Sequence, residues 1–202
     1  MQSLILLLAS YILGSFPSGY LVGRLVKGID IRKEGSGSTG ATNVNRLLGK
    51  KWAIVVFVLD FLKGFAAPSA LKFFAPHLPA VIIVLAAIAP VCGHNWSIFL
   101  GFKGGKGVAT SLGGVAGLSL VVPGLWIVLL AAVITWLVVF YISRYVSVAS
   151  LAAGAVFTAT ACLLYLPKEI KIFSLVLYAF IVLRHLPNIK RLLTNSEYKF
   201  KK

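Results

Sequence analysis

The stretch Leu125-Trp-Ile-Val-Leu-Leu-Ala-Ala-Val-Ile-Thr-Trp-Leu-Val-Val-Phe-Tyr-Ile142 decides the fold, because it is long, apolar and free of charged residues. A helix needs about 20 apolar residues to cross the hydrocarbon layer of a bilayer. Similar runs recur along the chain without the period-two alternation of a transmembrane β-barrel, so the barrel is excluded. The sequence therefore predicts an all-α, polytopic membrane bundle.

The composition points to the same class. The 202 residues are 59% hydrophobic and 12% charged, whereas a soluble domain is about 25% charged. Residues 1–202 are predicted to form a single integral membrane domain that contacts membrane lipids. The aromatic residues lie inside apolar segments and not in a soluble basic patch, so nucleic acid is excluded as a partner.

Seven segments are candidate membrane spans, namely 4–22, 52–74, 78–100, 108–122, 125–142, 146–166 and 170–186. The fourth segment has the weakest pattern, because it is short and contains Gly113, Gly114 and Gly117. Pro123 separates it from the fifth. Joining the two into one kinked span would give six spans and would place the C-terminus on the opposite side.

Charge placement favours seven spans, with the N-terminus outside and the C-terminus cytoplasmic. The chain has 20 basic and 5 acidic residues, for a net charge of +15. In this topology only three basic residues face outside, Lys72, Lys168 and Lys171. The cytoplasmic loops and tail hold Arg24, Lys27, Arg32, Lys33, Arg46, Lys50, Lys51, Lys103, Lys106, Arg144, Arg184, Lys190, Arg191, Lys199, Lys201 and Lys202. That asymmetry follows the positive-inside rule.

A glycine-rich loop, Glu34-Gly-Ser-Gly-Ser-Thr-Gly-Ala-Thr-Asn-Val-Asn-Arg46, joins the first two spans. Glycines let backbone N–H groups approach a ligand closely, and hydroxyls and arginine add donors for an anion. The candidate binding residues are Ser36, Gly37, Ser38, Gly40, Thr42, Asn43 and Arg46. The loop formally matches GxGxxG, but a dinucleotide site needs a βαβ unit, which the sequence lacks.

Two further segments carry chemistry on the same predicted face. In Phe102-Lys-Gly-Gly-Lys-Gly107, the residues Lys103, Gly104 and Lys106 are candidates for a phosphate site. In Arg184-His-Leu-Pro-Asn-Ile-Lys-Arg191, the candidates are His185 and Asn188, and Pro187 is expected to interrupt the helix there. We therefore expect chemistry on a phosphorylated substrate at a lipid surface.

Three other ionisable residues have structural explanations available. Asp60 and Lys63 are three residues apart inside the second span, where ionisable groups tend to pair. The pair is either purely structural or a support for the site. His94 is expected to be a hydrogen-bonded residue near a helix end.

Together these segments resemble the signature regions of the bacterial acyl-phosphate:glycerol-3-phosphate acyltransferases. The resemblance covers essentially the whole chain and includes Gly93-His94, Val108-Ala-Thr110, Arg191 and Asp60-xx-Lys63-Gly64. Members often carry Phe-Pro where this chain has Trp96-Ser97. The resemblance implies transfer of a fatty acyl group from acyl phosphate to the 1-hydroxyl of glycerol 3-phosphate, giving lysophosphatidate and phosphate for phospholipid synthesis.

The resemblance also assigns roles. Ser36 and the neighbouring N–H groups would hold the acyl-phosphate head, Lys106 with Lys103 would neutralise the leaving phosphate, and Arg46, His185 and Asn188 would hold glycerol 3-phosphate. Ser36, Lys106 and His185 are the expected catalytic residues. The proton acceptor is either His185 or a phosphate oxygen of a bound substrate.

No metal, cofactor or obligate protein partner is expected, and the enzyme would be a multi-pass protein of the bacterial inner membrane with a cytoplasmic active site. The competing interpretation is a transporter of phosphate or phosphorylated small solutes. A transporter site would lie near the midplane and open to both faces, whereas the basic loops gather on one predicted face.

Overall fold

The computed structural model describes residues 1–75 and 77–200, and within them every regular element is helical. The α-helices are α1 (Gln2–Ser15), α2 (Ser18–Lys27), α3 (Ala41–Leu48), α4 (Lys50–Phe74), α5 (Ala80–Asn95), α6 (Val108–Ser119), α7 (Leu125–Ser143), α8 (Val146–Leu163) and α9 (Lys168–Leu193). Short 3₁₀ turns lie at Ile31–Lys33 and Ile98–Leu100. The all-helical fold predicted from the sequence is thus confirmed. Lys201 and Lys202, which the charge count also used, lie outside the described residues.

Six segments of the described chain are long and apolar enough to cross a bilayer: Gln2–Lys27, Lys50–Phe74, Ala80–Leu100, Leu125–Ser143, Val146–Leu163 and Lys168–Leu193. The fourth predicted segment, 108–122, instead forms α6, which has 12 residues. At about 1.5 Å per residue α6 is only about 18 Å long. The predicted break before the next span is present, at the Leu120–Gly124 connection.

The chain divides into two compact units, Met1–Val121 and Val122–Lys202. In the first unit, α6 packs along α4 through glycines. A Cβ added to Gly113 would overlap the carbonyl of Phe61, and one added to Gly117 would lie 2.7 Å from Pro68. The ends of the helices also meet, because Lys72 Nζ donates to the carbonyl of Leu120. The contacts therefore occur in the same order along α4 and α6, so the two helices run in the same direction.

The first predicted span is broken, which the sequence pattern did not indicate. α1 ends at Ser15 and α2 begins at Ser18. Pro17 lies at the break, where it supplies no N–H and keeps Phe16 out of the helical region. Phe16 accordingly has φ −52° and ψ 119°. The break leaves the Phe16 carbonyl available, and Lys63 Nζ donates to it at 3.0 Å.

The second unit is an up-and-down set of three long helices. Trp136 on α7 donates to the hydroxyl of Ser150 on α8 at 3.2 Å, and Thr158 on α8 donates to the carbonyl of Ser174 on α9 at 3.1 Å. Gly154 brings α8 close to Tyr178. The expected break at Pro187 is wrong, because α9 continues through it to Leu193. Pro187 has no backbone N–H, so α9 lacks one helical hydrogen bond near its C-terminal end, and the helix continues without it.

Candidate active site

One side chain shapes the glycine-rich loop. Asn43, on α3, is 1% exposed. Its amide nitrogen lies 3.0–3.2 Å from the carbonyl oxygens of Ile31, Glu34 and Ser38, and its amide oxygen accepts from the backbone N–H of Ser36 at 2.9 Å. These bonds use the whole amide, so Asn43 holds the loop in place from inside.

Glycine is required at two points of this loop. Gly35 and Gly37 have φ of 58° and 69°, in the left-handed region that favours glycine. A Cβ on Gly35 would also overlap the Asn43 amide oxygen. The predicted function of these glycines as bending points is therefore consistent with the backbone, and it leaves Ser36 at the turn between them, half-buried.

The start of the loop is fixed by an ion pair. Arg32 donates to both carboxylate oxygens of Asp30, at 3.0 and 2.8 Å. The hydrogen bond from Arg32 lowers the pKa of Asp30 to about 2. The guanidinium of Arg32 also lies 5.0 Å from the centre of the Tyr20 ring. Asp30 is therefore ionised at neutral pH and already neutralised, so it does not repel a phosphate at the loop.

α3 presents one polar face beyond this loop. Thr42 and Arg46 are four residues apart, and so they lie on the same side of the helix. Arg46 is exposed, whereas Asn43 and Val44 are buried, and Val44 lies on the opposite side of the helix. The loop backbone, Ser36 and Arg46 thus belong to one continuous stretch of the first unit.

The glycine and lysine loop is held by the end of α5. The N–H of Gly104 donates to the Asn95 carbonyl at 3.2 Å, and that of Gly105 donates to the His94 carbonyl at 3.0 Å. A Cβ on either glycine would overlap His94. Lys103 is exposed and Lys106 is half-buried. Backbone packing therefore sets the direction in which both lysines leave the loop.

The Trp96-Ser97 turn links α5 to α1. Ser97 Oγ donates to the Ser15 carbonyl at 2.6 Å, and Tyr11 Oη donates to the Trp96 carbonyl at 2.7 Å. His94 lies at the end of α5, as predicted, with Nδ1 3.4 Å from a carboxylate oxygen of Asp60. This part of the first unit is a tightly packed support beneath the loop.

The last two predicted residues lie on α9 in the second unit. His185 is 1% exposed, and its Nδ1 lies 2.7 Å from the Ile181 carbonyl. A carbonyl oxygen can only accept, so Nδ1 carries the proton and Nε2 is the basic nitrogen of the neutral ring. Asn188 lies one turn further on and donates to Glu197 at 2.6 Å.

Sequence reasoning missed Glu197. Its carboxylate also accepts from Arg191 Nε at 2.7 Å and Ser147 Oγ at 3.1 Å. Burial raises the pKa of this carboxyl, but the hydrogen bonds from Asn188, Arg191 and Ser147 outweigh burial and lower the pKa below its ordinary value. The sequence contained one indication of this residue. The chain has only 5 acidic residues, so few of them can lie beside a basic helix end.

Comparisons with known proteins now decide the family. The family model described as glycerol-3-phosphate acyltransferase matches residues 4–195. The chain belongs to this family. It is 43% identical over 205 residues to the glycerol-3-phosphate acyltransferase of Aquifex aeolicus, covering 99% of this chain and 100% of the relative. It is 45% identical over 198 residues to that of Synechococcus elongatus, covering 94% and 90% of the two chains.

Solved structures agree with this membership. A crystal structure of PlsY (YgiH), an integral membrane glycerol 3-phosphate acyltransferase, in its glycerol 3-phosphate form superposes with a TM-score of 0.89 at 40% identity. That match covers 100% of this chain and 96% of PlsY. The lysophosphatidic acid form of the same protein gives a TM-score of 0.86. The likeness extends over both units of the chain.

The structure thus distributes the predicted residues of this acyltransferase family member between two units. The first holds Ser36, Gly37, Ser38, Gly40, Thr42, Asn43, Arg46, Lys103, Gly104 and Lys106, and the second holds His185 and Asn188. Within residues 1–75 and 77–200, no three His, Cys, Asp or Glu side chains cluster in a way that could hold a metal ion. The participation of the two groups of residues in one reaction stays a prediction.

Proposed function

We propose that this multi-pass membrane enzyme transfers a fatty acyl group from acyl phosphate to the 1-hydroxyl of glycerol 3-phosphate, releasing phosphate and 1-acylglycerol 3-phosphate. Acylation of glycerol 3-phosphate in phospholipid synthesis follows from membership of the family over residues 4–195, which is the observation that carries the proposal. The same membership favours an enzyme over the competing transporter interpretation. Acyl phosphate as the donor is our inference from the two anion-type loops and from the resemblance of their residues.

The reaction is attack of a hydroxyl oxygen on the carbonyl carbon of a mixed anhydride. A new ester bond forms, the carbon–oxygen bond to phosphate breaks, and the hydroxyl proton passes to a base. Phosphate is a good leaving group, so the protein mainly has to position the reactants and stabilise developing charge. We assign the acyl-phosphate head to this loop, with Ser36 and its neighbouring N–H groups. Gly37 and Gly40 donate their own N–H groups within the loop, to the Glu34 carbonyl and to Ser38 Oγ, and so they shape it. The roles of Asn43 and Gly104 are to hold their loops in shape.

The remaining basic and polar side chains complete the assignment. Lys106, supported by Lys103, neutralises the leaving phosphate, on which charge grows during the transition state. Arg46, with Thr42 on the same side of α3, binds the phosphate of glycerol 3-phosphate, for which a guanidinium offers paired donors. Asn188 and His185 also help to hold glycerol 3-phosphate. The proton acceptor is either Nε2 of His185 or an oxygen of a bound phosphate.

We further propose that the chain crosses the membrane seven times, with the N-terminus outside and the C-terminus cytoplasmic. The loop charges support this orientation. α6 supplies the seventh crossing although it is short, because it runs beside α4 and ends where Lys72 meets Leu120, at the predicted outer end of α4. The backbone of the irregular loop before α6 is hydrogen-bonded to the end of α5, since Gly104 and Gly105 donate to the carbonyls of Asn95 and His94, and an irregular segment at membrane depth needs such bonds. The active site then faces the cytoplasm, in the inner membrane of a bacterium.

The direct test uses the purified full chain in detergent. Long-chain acyl phosphate and radiolabelled glycerol 3-phosphate should give labelled lysophosphatidate and inorganic phosphate, and acyl-CoA or acyl carrier protein should not replace acyl phosphate. Equal rates with acyl-CoA contradict the donor assignment. Uptake of labelled glycerol 3-phosphate into proteoliposomes without any acylated product contradicts the enzyme itself.

A further inference from the structure

Asp60 is a buried carboxylate that the proposed mechanism does not use. It lies on α4 and is 1% exposed. Three donors converge on its Oδ1 atom: Ser18 Oγ at 2.6 Å, Lys63 Nζ at 2.8 Å and His94 Nδ1 at 3.4 Å. Lys63 neutralises the charge within one helix. The other two donors come from α2 and α5, so the carboxylate ties three helices of the first unit together.

Ser18 connects this carboxylate to the glycine-rich loop. The next residue along α2 is Gly19, and a Cβ there would overlap the carbonyl oxygen of Thr39. The backbone of the loop therefore rests directly on the helix turn whose hydroxyl bonds Asp60. A change in the position of Ser18 would be transmitted to Thr39, because two backbones in van der Waals contact leave no free space between them.

His94 connects the same carboxylate to the glycine and lysine loop. Its Nδ1 faces Asp60, and a Cβ on Gly105 would overlap its Nε2. The imidazole thus fills the gap between the carboxylate and the backbone of Gly105. The residue after Gly105 is Lys106. The imidazole ring therefore determines the backbone position from which the Lys106 side chain extends.

The two connections meet at one small pocket. Its polar lining comes from both sides, with Ser18 and Thr39 on one and Lys63, His94 and Ser97 on the other. The hydroxyl of Ser15, which also lines it, is buried without a hydrogen-bond partner among the described residues. The glycine-rich loop therefore borders this polar centre directly, through Thr39, and the glycine and lysine loop is connected to it through His94, which contacts Gly105.

We propose that Asp60 is a positioning residue that sets the separation of the two loops, through Ser18 on one side and His94 on the other. A buried ion pair alone gives little net stability, because desolvation offsets the attraction. The two additional donors, Ser18 on α2 and His94 on α5, allow the carboxylate to fix the relative positions of these helices. The proposal rests on the assigned roles of the loops, since a wrong separation would move Lys106 away from the leaving phosphate.

The test is a double-mutant cycle on the full chain in detergent. Asp60→Ala is combined with Lys63→Met, so that no unpaired charge stays buried, and the pair is made in the wild-type and Lys106→Ala backgrounds. If Asp60 acts through the lysine loop, kcat falls at least about tenfold in the wild-type background and less than about threefold in Lys106→Ala, because residues in one network are not additive. Ser119→Ala removes a hydrogen bond to Val115 at 2.9 Å elsewhere in the unit and is the matched control.

An equal loss of kcat in both backgrounds overturns the proposal, as does wild-type kcat in the Asp60/Lys63 variant. His94→Leu supplies a second arm if that variant does not fold, and it should show the same loss and the same non-additivity with Lys106→Ala. Wild-type kcat in His94→Leu also overturns it. Wild-type kcat in Lys106→Ala alone contradicts the assigned function of the loop, and so that failure is distinguishable from failure of the positioning role.

Discussion

The two loops of the first unit and the polar cluster of the second are built in opposite ways. The loops are backbone structures, held by Asn43 and by the carbonyls at the end of α5, with their charged side chains at the rim. In the cluster of the second unit, the candidate side chains His185 and Asn188 lie on one continuous helix, and His185 is buried. Backbone N–H groups recognise charge and shape, whereas an imidazole can also accept a proton. The difference predicts binding and charge stabilisation by the loops and a distinct contribution from His185.

His185→Ala is the change with the largest expected effect. It decides whether the second unit contributes a proton acceptor or only another binding group. As the general base, His185 would supply about 10²–10⁴ in kcat, and its loss would remove the corresponding inflection from the pH–rate profile. Steady-state rates from about pH 5 to 9 measure both. If saturating glycerol 3-phosphate instead restores most of the rate, His185 only binds substrate and a phosphate oxygen is the base.

Lys106→Ala tests whether a loop residue stabilises the transition state. Removing one donor that faces developing charge costs about 10²–10³ in kcat, and we expect that loss with little change in KM for either substrate. Lys103→Ala is the matched control, because Lys103 is exposed and only supports the site; its effect should be smaller. A larger loss for Lys103→Ala would reverse the assignment of the two lysines.

Arg46→Ala should mainly weaken binding. Loss of a hydrogen bond to a charged group costs about 1.5–3 kcal/mol, which corresponds to a rise of roughly 10- to 150-fold in KM for glycerol 3-phosphate. Arg46→Lys keeps the charge but not the paired donors, and it should restore only part of the affinity. An unchanged KM in Arg46→Ala would place the glycerol 3-phosphate site elsewhere.

Glu197→Gln should have the smallest effect, visible as the pH dependence of stability. The folded-state pKa of Glu197 is lowered, so its contribution is present above the unfolded pKa of about 4.3 and is lost as pH falls through the folded value. Thermal unfolding in detergent should show wild type losing more Tm than Glu197→Gln between pH 6 and pH 3. Parallel loss in both proteins would show that the carboxylate does not stabilise the second unit.

The sequence was sufficient for the helical fold and for finding the two loops, because span length and loop composition are local properties. It was insufficient where packing decides. Pro17 breaks α1 from α2 and Pro187 leaves α9 intact, and a proline has the same local chemistry at both positions. The surrounding residues differ. At the break beside Pro17, for example, Lys63 donates a hydrogen bond to the carbonyl of Phe16.

The same limit applies within the candidate site. Asn43 has the chemistry of a ligand-binding residue, but its amide is used by the loop itself. Glu197 could not be assigned from spacing, because it follows the end of α9 and one of its three partners, Ser147, is 50 residues away. Composition indicates which side chains are available for binding, and long-range contacts determine which of them are already occupied.

The length of α6 has a consequence for how the product leaves. In the proposed topology α6 ends near the outer end of α4, and its 12 residues span about 18 Å of a hydrocarbon layer of about 30 Å. The end of the lysine loop, which leads into α6, then lies roughly 12 Å beneath the cytoplasmic boundary. A phosphate handled there lies well below the headgroup region, so newly made lysophosphatidate has to rise along the membrane normal before it can mix with the surrounding lipid. Release of the product is therefore a vertical movement of a charged headgroup as well as a lateral escape of an acyl chain.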